Sequence, residues 1–449
     1  MKYKQSLLAL AAVMACGTAS AAVTADEAKA LGTTLTPVGA QMSGNKDGSI
    51  PAYTGGQTTS PAGFTKGDGL RPDPFVGEKP KFSITAANAA QYADKLTEGA
   101  KELLKRNASY RIDVYPTHRT VAFPKVVIDN TLKNATRAKT TNEGRGLEGA
   151  VGGYPFPIPK NGYEVMWNHL TRYVGVAYRL SYKSWNVDST GTPTLATSGV
   201  LTEDYPYYGQ SAGDSGVFWR LRSDYTGPAR RVGETLMVHD TLNPLEKGRR
   251  AWQYLPGQRR VKLAPDIAYD APNPGTSGAT TYDDTFIFNG AMDRFDFKLV
   301  GQKEMIVPYN NYRLVYQSKA DQLLKAKHIN PDAERWELHR VWVVEATLKP
   351  GSRHVYAKRV FYIDEDSWIG LASDEYDARG QMYRALFSYM TTSYDVTAQF
   401  ASNFVSYDFV AGMYSLSVHP AEAGGVKYSN SLFPEKEWTP DSMAGSGIR

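Results

Sequence analysis

From about residue 173 onward, short runs rich in β-branched and aromatic residues succeed one another with turn signals between them: YVGVAYRLSYKSWNV, SGVFWRLRSDYT, ETLMVHDTL, RAWQYLPGQRRVKLA, DRFDFKLVGQKEMIV, YRLVYQS, RWELHRVWVVEATL, HVYAKRVFYID and WIGLASDEYDARGQMYRALFSYM. Pro256-Gly257, Pro350-Gly351 and Arg379-Gly380 join neighbouring runs as hairpins, which predicts a meandering antiparallel sheet and not parallel crossovers. In RWELHRVWVVEATL, Trp336, Leu338, Trp342, Val344, Ala346 and Leu348 alternate onto one face. An aromatic content of 12%, led by 29 tyrosines, suits such a β-rich chain.

The segment before these runs is of another kind. In GGYPFPIPKNGYEVMWNH, Pro155, Pro157 and Pro159 exclude helix and central strand and make a stiff extended strap. After it, Tyr163, Met166, Trp167 and Leu170 recur at helical spacing, so a short helix near 161–175 presents an aromatic stripe that needs an apolar partner. A sheet that curves would offer one on its concave face, and this helix is then a candidate plug or lid. Residues 22–84, rich in Gly, Pro, Ser and Thr, are expected to form an extended arm on the body. Within the helical region 85–150, one amphipathic helix is expected after Thr85 as cap, with Tyr92, Leu96, Ala100 and Leu103 on one face. The curved β domain is placed at 151–400 and a C-terminal extension at 401–449.

Residues 1–21 have a basic start, an apolar run from Leu7 to Ala15 and Ala19-Ser20-Ala21 as an A-x-A site, which predicts export and a mature N-terminus at Ala22. Cys16, the sole cysteine, follows VMA as in a lipoprotein-processing box, but Met14 departs from that pattern and cleavage after Ala21 is the expectation. The mature chain then has no thiol chemistry or disulfide. No later apolar run is long enough to span a bilayer. The 51 basic against 46 acidic residues, two of the lysines lying in the leader, give no argument for nucleic acid.

Motif matches are weak. GRGLEG at 144–149 lacks the preceding strand and following helix that a dinucleotide site requires. GDSG at 213–216 reads as a turn. The histidines are scattered without metal-ligand spacing, and Asp283-Asp284 and Asp364-Glu365-Asp366 read as solvated turn acids, so no metal or cofactor is expected. Lys247, Arg249, Arg250, Arg259, Arg260 and Lys262 flank AWQYLPGQ, a hairpin with Trp252 and Tyr254 on one face; this is the candidate patch for an anionic head group or membrane surface.

The strings GNKDGSIPAYTGG, DVYPTHR, PFPIPKNGYEVMWNH, FIFNGAMDRFDFKLVGQKEMIVPYN and WTPDSMAGSGIR resemble a proteobacterial family known as domain of unknown function 1329. Its β region in turn resembles the Lol lipoprotein carriers, which implies an α+β, β-rich fold: an unclosed half-barrel wrapped around helices, with a greasy cavity. The long arm and large helical region depart from the small carriers. The reading that follows is a non-enzymatic periplasmic carrier or chaperone for a lipid or other hydrophobic molecule, working with an inner-membrane exporter and an outer-membrane partner. Tyr163, Met166, Trp167, Leu170, Trp252, Tyr254, Trp336 and Trp342 are the candidate cavity or lid residues. The competing readings are a hydrolase of a hydrophobic substrate using His118 or His239, and a structural or outer-membrane-associated subunit.

Overall fold

The computed structural model describes residues 23–209 and 216–446, so the expected leader and Gly213 to Ser215 of the GDSG stretch lie outside the described residues. Its body is a 16-stranded sheet. The main ladder comprises β1 (Ala177–Val187), β2 (Pro193–Asp204), β3 (Val217–Gly227), β4 (Thr235–Thr241), β5 (Arg250–Leu255), β6 (Arg260–Leu263), β7 (Phe295–Pro308), β8 (Trp336–Leu348), β9 (Lys358–Asp364), β10 (Gly370–Tyr376), β11 (Met382–Ser388), β12 (Phe404–Asp408) and β13 (Met413–His419). In space β7 to β13 run in order and are followed by β1 to β6, antiparallel at every step. A single parallel bridge, Trp336 to Val114, attaches the short strand Ile112–Val114 and makes the sheet formally mixed.

This order is that of a barrel opened at one seam. β6 and β7 are consecutive ladder strands in the chain, yet β6 pairs with β5, β7 pairs with β8, and the two do not pair with each other. Residues 264–294 span the seam and turn inward, burying Ile267, Phe286, Ile287, Phe288 and Met292 in the main core. The sheet is curved and unclosed, as expected. Residues 401–449, expected as an extension, instead supply β12 and β13, whose contact with β1 joins the two meanders. β2 carries few β-branched or aromatic residues in its first half and gave no strand signal. YRLVYQS, expected as a strand, forms a helical turn at Arg313–Gln317, because Asn310 enters the left-handed region at φ 54° and reverses the chain before it.

Two helices precede the strap: α1 (Glu98–Arg106), which packs on β10 and β11, and α2 (Lys125–Arg137), whose Thr131 and Asn134 hydrogen-bond the backbone of residues 151–154. The expected long helix from Thr85 is divided. Residues Ala89–Tyr92 make a 3-10 turn, and α1 starts only where the Thr97 hydroxyl caps Ala100 N–H. Asp374 of β10 accepts from the N–H groups of Glu98 and Gly99 at 3.0 and 2.8 Å, which docks the positive end of the helix on the sheet.

The proline strap leads into α3 (Gly162–Leu170), which packs inside the barrel against β7 and β8. Asn168 holds strap and helix together: its Oδ1 accepts from Phe156 N–H at 2.9 Å and its Nδ2 donates to Phe156 O at 2.7 Å. Over the strap lies the arm. Gly39, at φ 97°, meets Pro157 O so closely that a Cβ would stand 1.7 Å from that oxygen, so only glycine permits the crossing. Trp368 Nε1 donates to Val38 O at 2.9 Å, and Arg340 to Ser43 O at 3.0 Å, fixing the arm to the ladder.

Candidate functional site: cavities beneath the seam-spanning segment

Alternation along antiparallel strands puts Tyr182 of β1, Leu201 of β2, Trp219 and Leu221 of β3 and Leu236 and Val238 of β4 on one concave wall. The opposite wall is the seam-spanning segment, through Thr276, Tyr282 and Phe286. Between them is a predominantly apolar cavity of about 90 Å³. Trp219 and Phe286 meet across it edge to face, with ring centroids 5.9 Å apart. Ser417 of β13 also lines it, and the buried Ser417 hydroxyl has no hydrogen-bond partner among the described residues.

A second, more polar cavity of about 170 Å³ adjoins it, lined by Arg145, Trp167, Leu170, Phe218 and Tyr269 among others. It exists because β3 bulges: the register shifts between Val217 and Trp219, and the extra residue Phe218 turns toward Trp167. Arg249 lines both cavities. Its guanidinium is paired with Asp240 through contacts of 2.7 and 2.6 Å, and it also donates to Asn289 O at 3.1 Å, so this one side chain ties the sheet to the seam-spanning segment.

Beneath the rings lie two buried charges. Glu203 accepts from Trp219 Nε1 and Tyr205 OH, each at 2.9 Å, while its Oε1 has no donor. Burial raises the Glu203 carboxyl above its usual range, against the hydrogen bonds from Trp219 and Tyr205 and the charge of Arg172. Arg172 lies over the Phe286 ring at 4.5 Å.

The expected cavity residues are dispersed by the fold. Trp167 and Leu170 line the second cavity, with Trp167 Nε1 donating to Gly144 O at 2.8 Å. Met166 is fully buried in the main core, and Tyr163 packs on Phe297 and donates to Phe295 O at 3.1 Å. Trp252 and Tyr254 do not face the cavities. Successive side chains alternate, so Ala251 points in and these two point out, where Met237, Trp438 and Met443 cover them. Trp336 packs on Phe387 and Trp342 stacks on Trp368 beneath the arm; neither lines a cavity described above.

The basic set divides in the same way. Lys247, Arg250, Arg259, Arg260 and Lys262 are exposed and make no salt bridge among the described residues, whereas Arg249 is turned inward as described. The aspartates read as solvated turn acids are buried. Asp283 and Asp284 pair with Arg359, which also meets Glu375 at 2.8 Å. Asp366 is held by Arg119, and Glu365 by Arg340. No sequence signal distinguishes such acids from exposed ones, because their cations come from strands far away in the chain.

His118 pairs with Glu78 at 2.7 Å and stacks on Phe75, away from His239, whose ring stands against Trp252 and Trp438. Burial, with the charges of Arg220 and Arg250, pushes His239 down to about 4. His339, Asp364 and Asp366 bring ligand-type atoms within 4.8 Å of one another. Both Asp366 oxygens are nevertheless engaged by Arg119, and His339 Nε2 by Glu337, so this set is built as an ion-pair network.

A family model described as protein of unknown function (DUF1329) matches residues 83–444. An uncharacterized protein of Pseudomonas aeruginosa (PA3922) is 42% identical over 440 residues, covering 96% of this chain and 95% of the relative. Among solved structures, a DUF1329 family protein from Desulfovibrio piger aligns with a TM-score of 0.42 at 15% identity, over 60% of this chain and 92% of that one. A LolA superfamily protein from Nitrosomonas europaea aligns with a TM-score of 0.38 at 11% identity, over 63% of this chain and 100% of that one.

Proposed function

The chain belongs to the DUF1329 family, and we propose that it is a non-enzymatic periplasmic carrier or chaperone that takes a lipid or other hydrophobic molecule into the concave face of its open barrel. The observation that carries this reading is the apolar cavity, walled on one side by strands of the sheet and on the other by the segment that spans the seam. At about 90 Å³ it is well below the roughly 300–1,000 Å³ of a site for a drug-sized ligand. Loading therefore displaces part of the seam-spanning segment around Phe286, which pairs with no strand of the ladder and is held by side chains, Arg249 to Asn289 O and Arg359 to Asp283 and Asp284. Each methylene then buried contributes about 0.8 kcal/mol against the contacts that are given up.

In this account the exposed cations of the β5–β6 hairpin bring the carrier to an anionic membrane surface or partner, between an inner-membrane exporter and an outer-membrane acceptor. The test is native mass spectrometry of protein purified without detergent, followed by organic extraction. A bound hydrophobic molecule released by solvent is the expected result; a bare polypeptide mass with nothing extractable contradicts the reading.

A further inference from the structure

Arg172 is 3% exposed, and among the described residues its only hydrogen bond is from Nη1 to His169 O at 3.0 Å, while Nε has no partner. Every other buried arginine among the described residues has a carboxylate within salt-bridge distance. Arg172 has none. Glu203 is near enough for the two charges to act on each other, but it makes no ion pair with Arg172, and its own Oε1 is unsatisfied. A buried guanidinium without an anion is costly, so a chain that keeps one has a use for it.

What covers this cation is the ring of Phe286, which also lines the apolar cavity. The backbone beneath that ring is strained. Phe286 and Ile287 both lie in the left-handed region, at φ 57° and 74°, and a β-branched residue there is a true outlier. Ile287 is held in place by close packing, since a Cβ on Gly370 would stand 3.0 Å from the Ile287 Cβ. One strained residue pair thus carries the single ring that lies both against the cavity and against the unpaired cation.

We propose that the molecule carried in the cavity is an anionic amphiphile, and that its carboxylate or phosphate displaces the Phe286 ring and pairs with Arg172. The tail then lies along Leu201, Leu221, Leu236 and Val238, while the head group takes the bidentate place that other buried arginines give to Asp or Glu. Release of backbone strain at Phe286 and Ile287 accompanies entry. This rests on the carrier reading and adds the chemical class of the ligand.

The experiment measures binding of three probes with one chain length, laurate, dodecyl phosphate and dodecanol, to the full mature protein by calorimetry. Wild type is expected to bind at least one anionic probe roughly ten-fold or more tighter than dodecanol, and Arg172→Gln to bring that ratio to about one. Preference for laurate or for dodecyl phosphate identifies which anion the site takes. Equal affinity of wild type for all three, or a ratio unchanged in Arg172→Gln, overturns the role of Arg172 while leaving a carrier of neutral molecules standing. No binding of any probe overturns both readings. Phe286→Ala gives a test that does not depend on the folding of the arginine variant: it is expected to bind the preferred anion several-fold tighter than wild type, and equal or weaker binding overturns the plug.

Discussion

Trp219 of β3 and Phe286 of the seam-spanning segment meet edge to face at 87°, and each is backed by a buried charge, Glu203 beneath the indole and Arg172 over the phenyl ring. The pair is one of the points where the barrel's inner wall and the segment that fills it touch. A ladder closed between β6 and β7 would have no such contact. The open seam is where residues 264–294 enter the interior.

Trp167 separates a packed helix from a moving one. It is 1% exposed, donates to Gly144 O and stands against Phe218, so Trp167→Ala is expected to cost about 3–5 kcal/mol. Urea unfolding checks this. A loss below 1 kcal/mol together with altered retention of a bound lipid would show instead that α3 is a lid.

At the β5–β6 hairpin, Arg250, Arg259, Arg260 and Lys262 are exposed, and their joint neutralisation is expected to weaken binding to anionic vesicles at low salt while leaving the melting temperature nearly unchanged. Arg249→Ala is expected to behave oppositely. It strands Asp240 and frees Asn289 O, at a cost of about 3 kcal/mol, with little effect on vesicle binding. Vesicle binding that follows Arg249 and not the exposed four would remove the hairpin from the functional account.

His169 is neutral in the folded chain. Burial first, and then the charge of Arg172, hold its imidazole down to about 3, with Gly370 N–H donating to Nδ1 and Phe288 O available to Nε2 at 3.0 Å each. The unfolded chain takes up that proton near its ordinary value of about 6.5. The stability contributed by the neutral ring is therefore fully present above that pH and falls by about 1.4 kcal/mol per unit as the pH drops toward 3. His169→Gln is expected to flatten the loss of stability between neutral pH and pH ~4.5 relative to wild type. His239, His328 and His419 shift in the same direction, so some slope persists. An unchanged slope would contradict the assignment.

The alternation of residues along strands, and turn pairs such as Pro350-Gly351, made the meander and its antiparallel sense legible in the sequence. The open seam was expected from family resemblance, while its position between β6 and β7 was not. Three things escaped for physical reasons. The bulge at Phe218 shifts which side chains face inward, and no residue type marks it. Arg249 and Arg250 are adjacent and chemically equal, yet the pleat sends one to Asp240 inside and the other over Trp252 outside. Arg172 differs from other buried arginines only in what is missing beside it, and a missing partner is visible only in three dimensions.

Leu236→Trp tests the central claim most directly, because Leu236 lines the apolar cavity and an indole there fills the space that a ligand would take. The measurement is the native mass of wild type and variant, both purified without detergent and both checked for an intact thermal transition. The account predicts a wild type that carries an extractable hydrophobic molecule and a folded variant that is bare. A folded variant that retains the same molecule at the same occupancy would place the ligand elsewhere and contradict the account.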